Sequence, residues 1–208
     1  MKPVEITYYG HSCFRIACDG KSVILDPYAD ESVPGLKLPQ GLTAGKVYCS
    51  HGHSDHNARN LVEETAVLED PFDVKFITVP HDDCDGAKRG LSDITVLDIN
   101  GTKVVHFGDI GRPLTSEEYG YLKDADIVMI PVGGFYTIDA KKAAAIVRRI
   151  DPKLTILMHY RTDDFGYDVT DHIKDVLPLF KDVKQLDEST YTFTGDEAGS
   201  IITLKPLQ

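Results

Sequence analysis

Within Ser50-His51-Gly52-His53-Ser54-Asp55-His56, three imidazoles and a carboxylate fall in the six positions 51 to 56. Neutral imidazole and carboxylate are borderline and hard ligands, suited to zinc, manganese, nickel or iron rather than to a soft-metal or iron–sulfur site. In extended backbone, side chains two apart point the same way, so His51 and His53 can grip one ion together. Asp55 and His56 are then free for another. Two neighbouring ions need more ligands than this, including a carboxylate that can bridge, and each needs an open or water-filled position if it is to catalyse.

Four apolar runs lead to residues that could supply the rest. Lys46-Val47-Tyr48-Cys49 precedes His51, 74–79 precedes His81, 103–107 precedes Asp109, and 155–158 runs into His159. Strand ends converging on one edge let a rigid sheet hold a site built from distant residues. Asp109 is the natural bridging carboxylate, because Gly108 and Gly111 beside it let the backbone approach a crowded centre. His159 closes the second ion's shell. For the first ion's third imidazole the choice lies between His81 and His106. His81, at a strand end, is preferred. His106 lies within its run, three positions before Asp109, so the two side chains face opposite ways if the run stays extended, and His106 then packs or hydrogen-bonds behind the site.

The elements around these runs are legible in outline. Runs 6–9, 13–17 and 22–25 form an antiparallel meander, the last two joined by Asp19-Gly20, a dipeptide suited to a hairpin turn. A loop occupies 27–45. Helices are expected over 116–123, over 139–150 closed by Asp151-Pro152, and over 169–180 with Pro178 shortening it; 191–193 and 201–204 return to strand. Strands with intervening helices in both halves predict an α/β fold of face-to-face sheets with helices outside.

A chain of 208 residues with no linker composition predicts one domain over 1–208. Cys13, Cys18, Cys49 and Cys84 show no metal-binding spacing and read as reduced thiols. No signal segment or membrane-length run is visible, so a soluble, cytoplasmic protein is expected, with no membrane partner. The formal charge of −11 carries no basic run, which argues against a long nucleic acid as partner and for a small-molecule substrate. A homo-oligomer is expected only as a generality for soluble enzymes.

The His-x-His-x-Asp-His motif resembles the signature of the metallo-β-lactamase superfamily. With 6–14, Leu25-Asp26-Pro27, His106-Phe107-Gly108-Asp109-Ile110-Gly111, 131–137 and Met158-His159-Tyr160, the resemblance extends over nearly the whole chain. Among its branches the chain looks like the small metal-dependent hydrolases, in particular the group related to the bacterial ascorbate-6-phosphate lactonase. The resemblance implies a four-layer αββα sandwich of mixed sheets with a two-metal site at one edge, zinc being the first choice and manganese, nickel or iron the others. Position by position, it puts His51, His53 and His81 on one ion, Asp55, His56 and His159 on the other, and Asp109 between them. His81 comes fewer residues after His56 than in the lactamases proper, which makes it the least secure ligand.

Such a site hydrolyses by presenting metal-bound hydroxide to a carbonyl or phosphorus centre, with Asp55 accepting or relaying its proton. His11 resembles a position near the metals, where it would donate to substrate or position a carboxylate; a satisfied core histidine is the competing reading. Asp26 either orients a ligand imidazole or simply starts a turn before Pro27. Arg89 either binds an anionic group or is a solvated loop charge. Tyr136 either supports an oxyanion or packs as an aromatic. His172 reads as a polar-face helix residue without a role.

The expected activity is hydrolysis of a small anionic lactone or phosphodiester. A nuclease for short oligonucleotides and a non-catalytic metal-stabilised module are the alternatives. Family members with redox di-iron centres resemble a pattern with Glu in place of the second histidine, so His53 argues against that chemistry.

Overall fold

The computed structural model describes residues 2–65 and 69–208. The first part of the chain forms β1 (Val4–Gly10), β2 (Cys13–Cys18), β3 (Lys21–Leu25), β4 (Leu42–Ala44), β5 (Lys46–Tyr48), β6 (Val62–Glu64), β7 (Asp73–Pro80), β8 (Leu91–Ile99) and β9 (Thr102–His106). The remainder forms α1 (Ser116–Leu122), β10 (Ile127–Pro131), α2 (Ala140–Ile150), β11 (Leu154–Met158), α3 (Ile173–Val176), β12 (Lys184–Gln185), β13 (Thr190–Phe193) and β14 (Ser200–Thr203).

Two mixed sheets pack face to face, with strand orders β13-β1-β2-β3-β5 and β12-β14-β11-β10-β9-β8-β7. Period-two alternation lets each strand of the smaller sheet serve two cores. Val4, Ile6, Tyr8, Phe14, Ile16, Val23 and Leu25 join the core shared with the larger sheet, while Tyr9, Cys13, Ile24 and Val47 face away. That outer face is covered by Tyr28, Val33, Leu36 and Leu38 from the loop after β3 and by Val62 of β6. The hairpin between β2 and β3 turns at Asp19 and Gly20, both at positive φ (55° and 76°), as a tight primed turn requires.

β10 and β11 are buried at every position, as parallel strands covered on both faces must be. Their cover includes α2, whose Ala143, Ile146, Val147 and Ile150 enter the shared core. Asp139 caps α2 by accepting from the Lys142 N–H at 2.8 Å, and Asp151 ends it at φ 54° before Pro152. A capping box between Thr115 and Glu118 starts α1, and Arg149 of α2 lies 3.7 Å over the Tyr119 ring of α1. The arrangement is the expected α/β sandwich of two mixed sheets, with helix cover on the larger sheet and the loop after β3 covering the smaller one. No helix among the described residues is long and apolar enough to cross a membrane.

Three local expectations are corrected. The helix expected over 169–180 contracts to α3 and a single 3-10 turn over Leu177–Leu179, because 160–172 is a loop folded over the site edge and Pro178 keeps the helix from extending. His172 is a buried cap rather than a polar-face residue: its Nδ1 accepts from the Lys174 N–H at 3.0 Å and its Nε2 lies 3.2 Å from Asp163. The strands β4, β6, β8, β10 and β12 are additions to the elements expected from sequence, and β4 lies within the loop expected over 27–45, where it pairs with β6. β8 buries the polar Ser92 and Thr95 and exposes Leu91, which breaks the alternation that would reveal it.

Within the smaller sheet β1, β3 and β5 run in one direction; within the larger sheet β7, β9, β10 and β11 do so. Their carboxyl ends gather at one edge of the sandwich and carry the candidate ligands.

Candidate metal centre

Each candidate ligand comes after a strand: His11 after β1, residues 51–56 after β5, His81 after β7, Asp109 after β9 and His159 after β11. At these ends His11, Asp26 and His159 hold left-handed φ values of 54°, 46° and 55°. Non-glycine residues in that region are strained, and such strain collects where a side chain must be aimed. Gly108 and Gly111 permit the crowding anticipated around Asp109: a Cβ on Gly108 would press on Ser50 at 2.7 Å, and one on Gly111 would overlap the Asp82 backbone.

The side chains form two groups joined by one carboxylate. His51, His53 and His81 bring their ligand atoms within 4.8 Å of one another, with His51 Nε2 3.0 Å from His53 Nδ1. Asp55, His56 and His159 form the second group, which His11 also enters. Asp109 Oδ2 lies 3.5 Å from His81 Nε2 in the first group, and 3.3 Å from both His56 Nε2 and His159 Nε2 in the second. His106 takes no part: its Nε2 lies 2.9 Å from the Ser12 carbonyl and its Nδ1 accepts from the Gly108 N–H.

Among the described residues, the buried side-chain atoms lacking a hydrogen-bond partner concentrate here. They include His11 Nε2, His56 Nε2, His81 Nδ1, both ring nitrogens of His159 and Asp109 Oδ1. Buried polar atoms left unpaired are costly, so a cluster of them aimed at one another needs a ligand to justify it. Imidazoles and carboxylates in two linked sets fit divalent metal ions of the zinc, manganese, nickel or iron kind.

Charge matches the same geometry. Burial opposes ionisation of Asp109, yet His159 and His56 hold its carboxyl well below the ordinary range. Burial likewise works against a charged His56, but the Asp109 and Asp26 carboxylates outweigh it and raise its pKa well above 6.5. His51 is lowered to about 4 by burial and then by His56, and His11 to about 3 by burial and then by His159. Asp55 stays ionised: burial works against it, but the adjoining His11 and His56 hold its pKa below the ordinary value.

A second ring of groups orients the first. Asp26 Oδ2 sits 2.7 Å from His56 Nδ1 and accepts from the Ser50 hydroxyl at 2.6 Å; that hydroxyl is 2.9 Å from His51 Nδ1. Of the two readings of Asp26, the structure therefore shows the orienting one. Ser92 Oγ accepts from the Asp109 N–H at 3.0 Å. His11 Nε2 lies 3.3 Å from Asp55 Oδ2, and the Tyr167 hydroxyl lies 3.1 Å from the same oxygen and 2.6 Å from the Ser32 carbonyl.

In front of these groups opens a pocket of about 330 Å³, lined by His53, Ser54, Asp55, His81, Arg89, Asp109, Tyr136 and Tyr167. Arg89 and Tyr136 are thus brought to the site, the guanidinium 5.3 Å from the Tyr136 ring centre. Among the described residues, larger depressions elsewhere, such as the one of about 530 Å³ beside Phe76 and Tyr121, hold no comparable ligand cluster. Sequence reasoning misses Tyr167 and Asp82. Tyr167 lies in an irregular loop just before the expected third helix, where no motif marks it, whereas Asp82 carries a usable signal, an Asp opening a loop punctuated by Gly86 and Gly90.

An edge of parallel strand ends carrying paired histidine–carboxylate groups on a two-sheet sandwich defines a metallohydrolase fold. The pattern of the β-lactamase superfamily domain matches residues 5–159. The chain belongs to the metallo-β-lactamase superfamily. It is 28% identical over 195 residues to a UPF0173 metal-dependent hydrolase of Thermoplasma acidophilum, covering 79% of this chain and 86% of that one. A Thermotoga maritima protein assigned as a Zn-dependent hydrolase of the superfamily superposes with a TM-score of 0.76 at 25% identity, covering 97% of this chain and all of that one. A metallo hydrolase of Ignicoccus hospitalis shares the fold, with a TM-score of 0.66 at 19% identity over 92% of this chain and 99% of that one.

Proposed function

We propose that this metal-dependent hydrolase works at a binuclear centre, and that its substrate is a small anionic molecule such as a lactone or a phosphodiester. The observation that carries the reading is Asp109 Oδ2, poised 3.5 Å from one imidazole group and 3.3 Å from two imidazoles of the other. His51, His53 and His81 would hold one ion, Asp55, His56 and His159 the second, and Asp109 both. Divalent ions bound there would acidify a water molecule toward neutrality and polarise a carbonyl or phosphoryl oxygen. Zinc is the first choice, in keeping with the Zn-dependent assignment of the Thermotoga protein; the same donors accept manganese, nickel or iron.

The chain's own residues provide the rest. Asp55, ionised and in contact with both His11 and Tyr167, is placed to accept a proton, and His11, neutral by burial, to pass it on. Arg89 and Tyr136 line the pocket wall and would meet the substrate. The open pocket supports catalysis over a purely structural role, since structural metal sites are closed shells. The acidic chain, at −11, supports a small substrate over a long nucleic acid. Four free cysteines support a reducing compartment such as the cytoplasm.

The test is a metal-loaded activity screen over lactones, phosphodiesters and phosphonates, with His51→Ala as the blank. Turnover that is metal-dependent and abolished in the variant is expected. Equal rates for the two proteins on every class would remove the reading.

A further inference from the structure

Asp82 belongs to neither ligand group, yet it is buried and its two oxygens accept four backbone N–H groups. Oδ1 accepts from Cys84 at 2.8 Å and Gly86 at 2.9 Å, and Oδ2 accepts from Lys88 and Arg89, each at 2.8 Å. The loop is closed behind this cage by two further bonds, Gly90 N–H to the Gly86 carbonyl at 2.9 Å and His81 N–H to the Gly90 carbonyl at 3.0 Å. One carboxylate therefore sets the path of the whole segment 83–90.

What that path fixes is Arg89. Its guanidinium carbon lies 5.3 Å from the ring centre of Tyr136 and 5.8 Å from that of Phe135. Among the described residues no carboxylate comes within ion-pairing distance of it, whereas Lys88 and Lys142 nearby are paired with Asp83 and Asp139, each at 3.5 Å. Arg15 and Arg112 have carboxylate partners, and of the five other arginines Arg89 is the one that lines the pocket in front of the ligand cluster. Its platform is unusual too: Phe135 is 61% exposed and holds φ at 50°, so an apolar ring is kept in water on strained backbone. A tight turn, with the Tyr136 N–H 2.6 Å from the Gly134 carbonyl, sets the two rings edge to face, 4.9 Å between centres. Arg89 and Tyr136 also line a second pocket of about 310 Å³, whose wall mixes Lys88 and Lys142 with Asp82, Asp83 and Asp139, so the guanidinium stands where the two pockets meet.

We propose that Asp82 is a positioning residue that sets the site's preference for anionic substrates. By caging the loop it holds Arg89 against Phe135 and Tyr136, where the guanidinium receives a carboxylate or phosphate of the substrate while the remainder reaches into the second pocket. The inference rests on the hydrolase reading and deepens it: the substrate has two parts, a bond that reacts at the ligand cluster and an anionic group beside it. A planar guanidinium held beside aromatic rings is pre-organised for bidentate oxyanion binding in a way that a lysine ammonium is not.

Two measurements test this. Metal-loaded wild type, Asp82→Asn, Arg89→Ala, Arg89→Lys and the Asp82→Asn/Arg89→Ala double variant are compared on para-nitrophenyl acetate and on the mono-para-nitrophenyl ester of succinate, which adds a terminal carboxylate. The ratio of kcat/KM for the anionic over the neutral ester is expected to fall roughly ten- to hundred-fold in Asp82→Asn and Arg89→Ala, chiefly through KM. Arg89→Lys should restore only part of it, the double variant should be no worse than Arg89→Ala, and metal content should match wild type. An equal loss on both esters, or loss of metal in Asp82→Asn, would show that Asp82 merely supports His81 and would overturn the proposal.

Calorimetric binding of phenylphosphonate is the second measurement, and it does not depend on turnover. If wild type hydrolyses neither ester, the hydrolase reading suffers, but a phosphonate affinity unchanged by Arg89→Ala still overturns this inference and a weakened one supports it. Should Asp82→Asn fail to fold, hydrogen exchange on the wild type decides the cage: slow exchange at the Lys88 and Arg89 amides supports it, and unprotected amides there overturn it.

Discussion

Asp26 Oδ2 lies 2.7 Å from His56 Nδ1, which leaves Nε2 as the ring atom facing the cluster, 3.3 Å from Asp109. The same oxygen accepts from the Ser50 hydroxyl, which in turn touches His51 Nδ1. One buried carboxylate thus fixes an imidazole in each ligand group. Partners of this kind set ring orientation and raise ligand basicity, and losing one typically costs ten- to hundred-fold in metal affinity. Asp26→Asn should weaken zinc binding by about that factor in a chelator competition, with the far-ultraviolet spectrum unchanged. Wild-type affinity in the variant would mean that packing alone orients the rings.

Asp109→Ala removes the atom shared by the two groups. Bound metal per chain should fall below the wild-type level, and turnover of any substrate found should drop by at least about 100-fold. Elemental analysis beside steady-state kinetics checks both. Full metal content would show that the two groups bind their ions independently.

Metal uptake should release protons. With its pKa raised by Asp109 and Asp26 against the opposing effect of burial, His56 is protonated at neutral pH in the metal-free protein, and a cation taking Nε2 displaces that proton. Roughly one proton per chain should appear when zinc titrations are repeated in buffers of different ionisation enthalpy. Stability responds with opposite signs at the two ends. The raised His56 contributes fully below 6.5 and loses its contribution as pH rises through its folded pKa; the lowered Asp109 contributes above 3.8 and loses it as pH falls through its own. The lowered His51 and His11 act against stability below 6.5, where the unfolded chain takes up protons that these buried rings refuse, so metal-free protein should melt highest close to 6.5, and bound metal should remove the alkaline decline. A melting temperature that stays level into alkaline solution without metal would refute the assignment.

Tyr167→Phe deletes a hydroxyl 3.1 Å from Asp55 Oδ2 while keeping the ring that lies 5.4 Å from Tyr136. The Asp55 carboxylate loses a donor, so turnover should fall by about three- to thirty-fold with metal content intact. The acid limb of the pH–rate profile should move to higher pH, because a less stabilised carboxylate protonates sooner. An unmoved profile would leave Tyr167 as a packing residue.

Much of the site is legible in sequence because ligand chemistry is local: spacing within 51–56 and apolar runs stopping at His81, Asp109 and His159 suffice to suggest it. Strand periodicity sets His106 aside, and the structure turns it toward the Ser12 carbonyl. The illegible parts depend on contacts between distant segments. Ser92 is buried in β8 with its hydroxyl accepting from the Asp109 N–H, a use of a polar residue that disguises the strand. β10, a five-residue run apolar throughout, shows no face preference because both of its faces are covered. Segment 169–180 carries helix-compatible residues, but its first part is drawn into a loop by Gly133 and Arg161, whose backbone groups pair with Asp171. Asp82 acts on amides up to seven positions ahead, which neither helix nor strand periodicity represents.

His11, His81 and His159 directly follow strands and the other ligand candidates come within eight residues of one, whereas Arg89, Tyr136 and Tyr167 sit on three separate connecting segments that meet at the pocket in front of them. On the proposed reading, reaction and recognition are therefore carried by separable parts of the backbone. Exchanging one connection for another of different length or charge would retarget the enzyme while its hydrolytic apparatus stayed in place, so grafting 82–90 from a relative offers a direct route to altered selectivity.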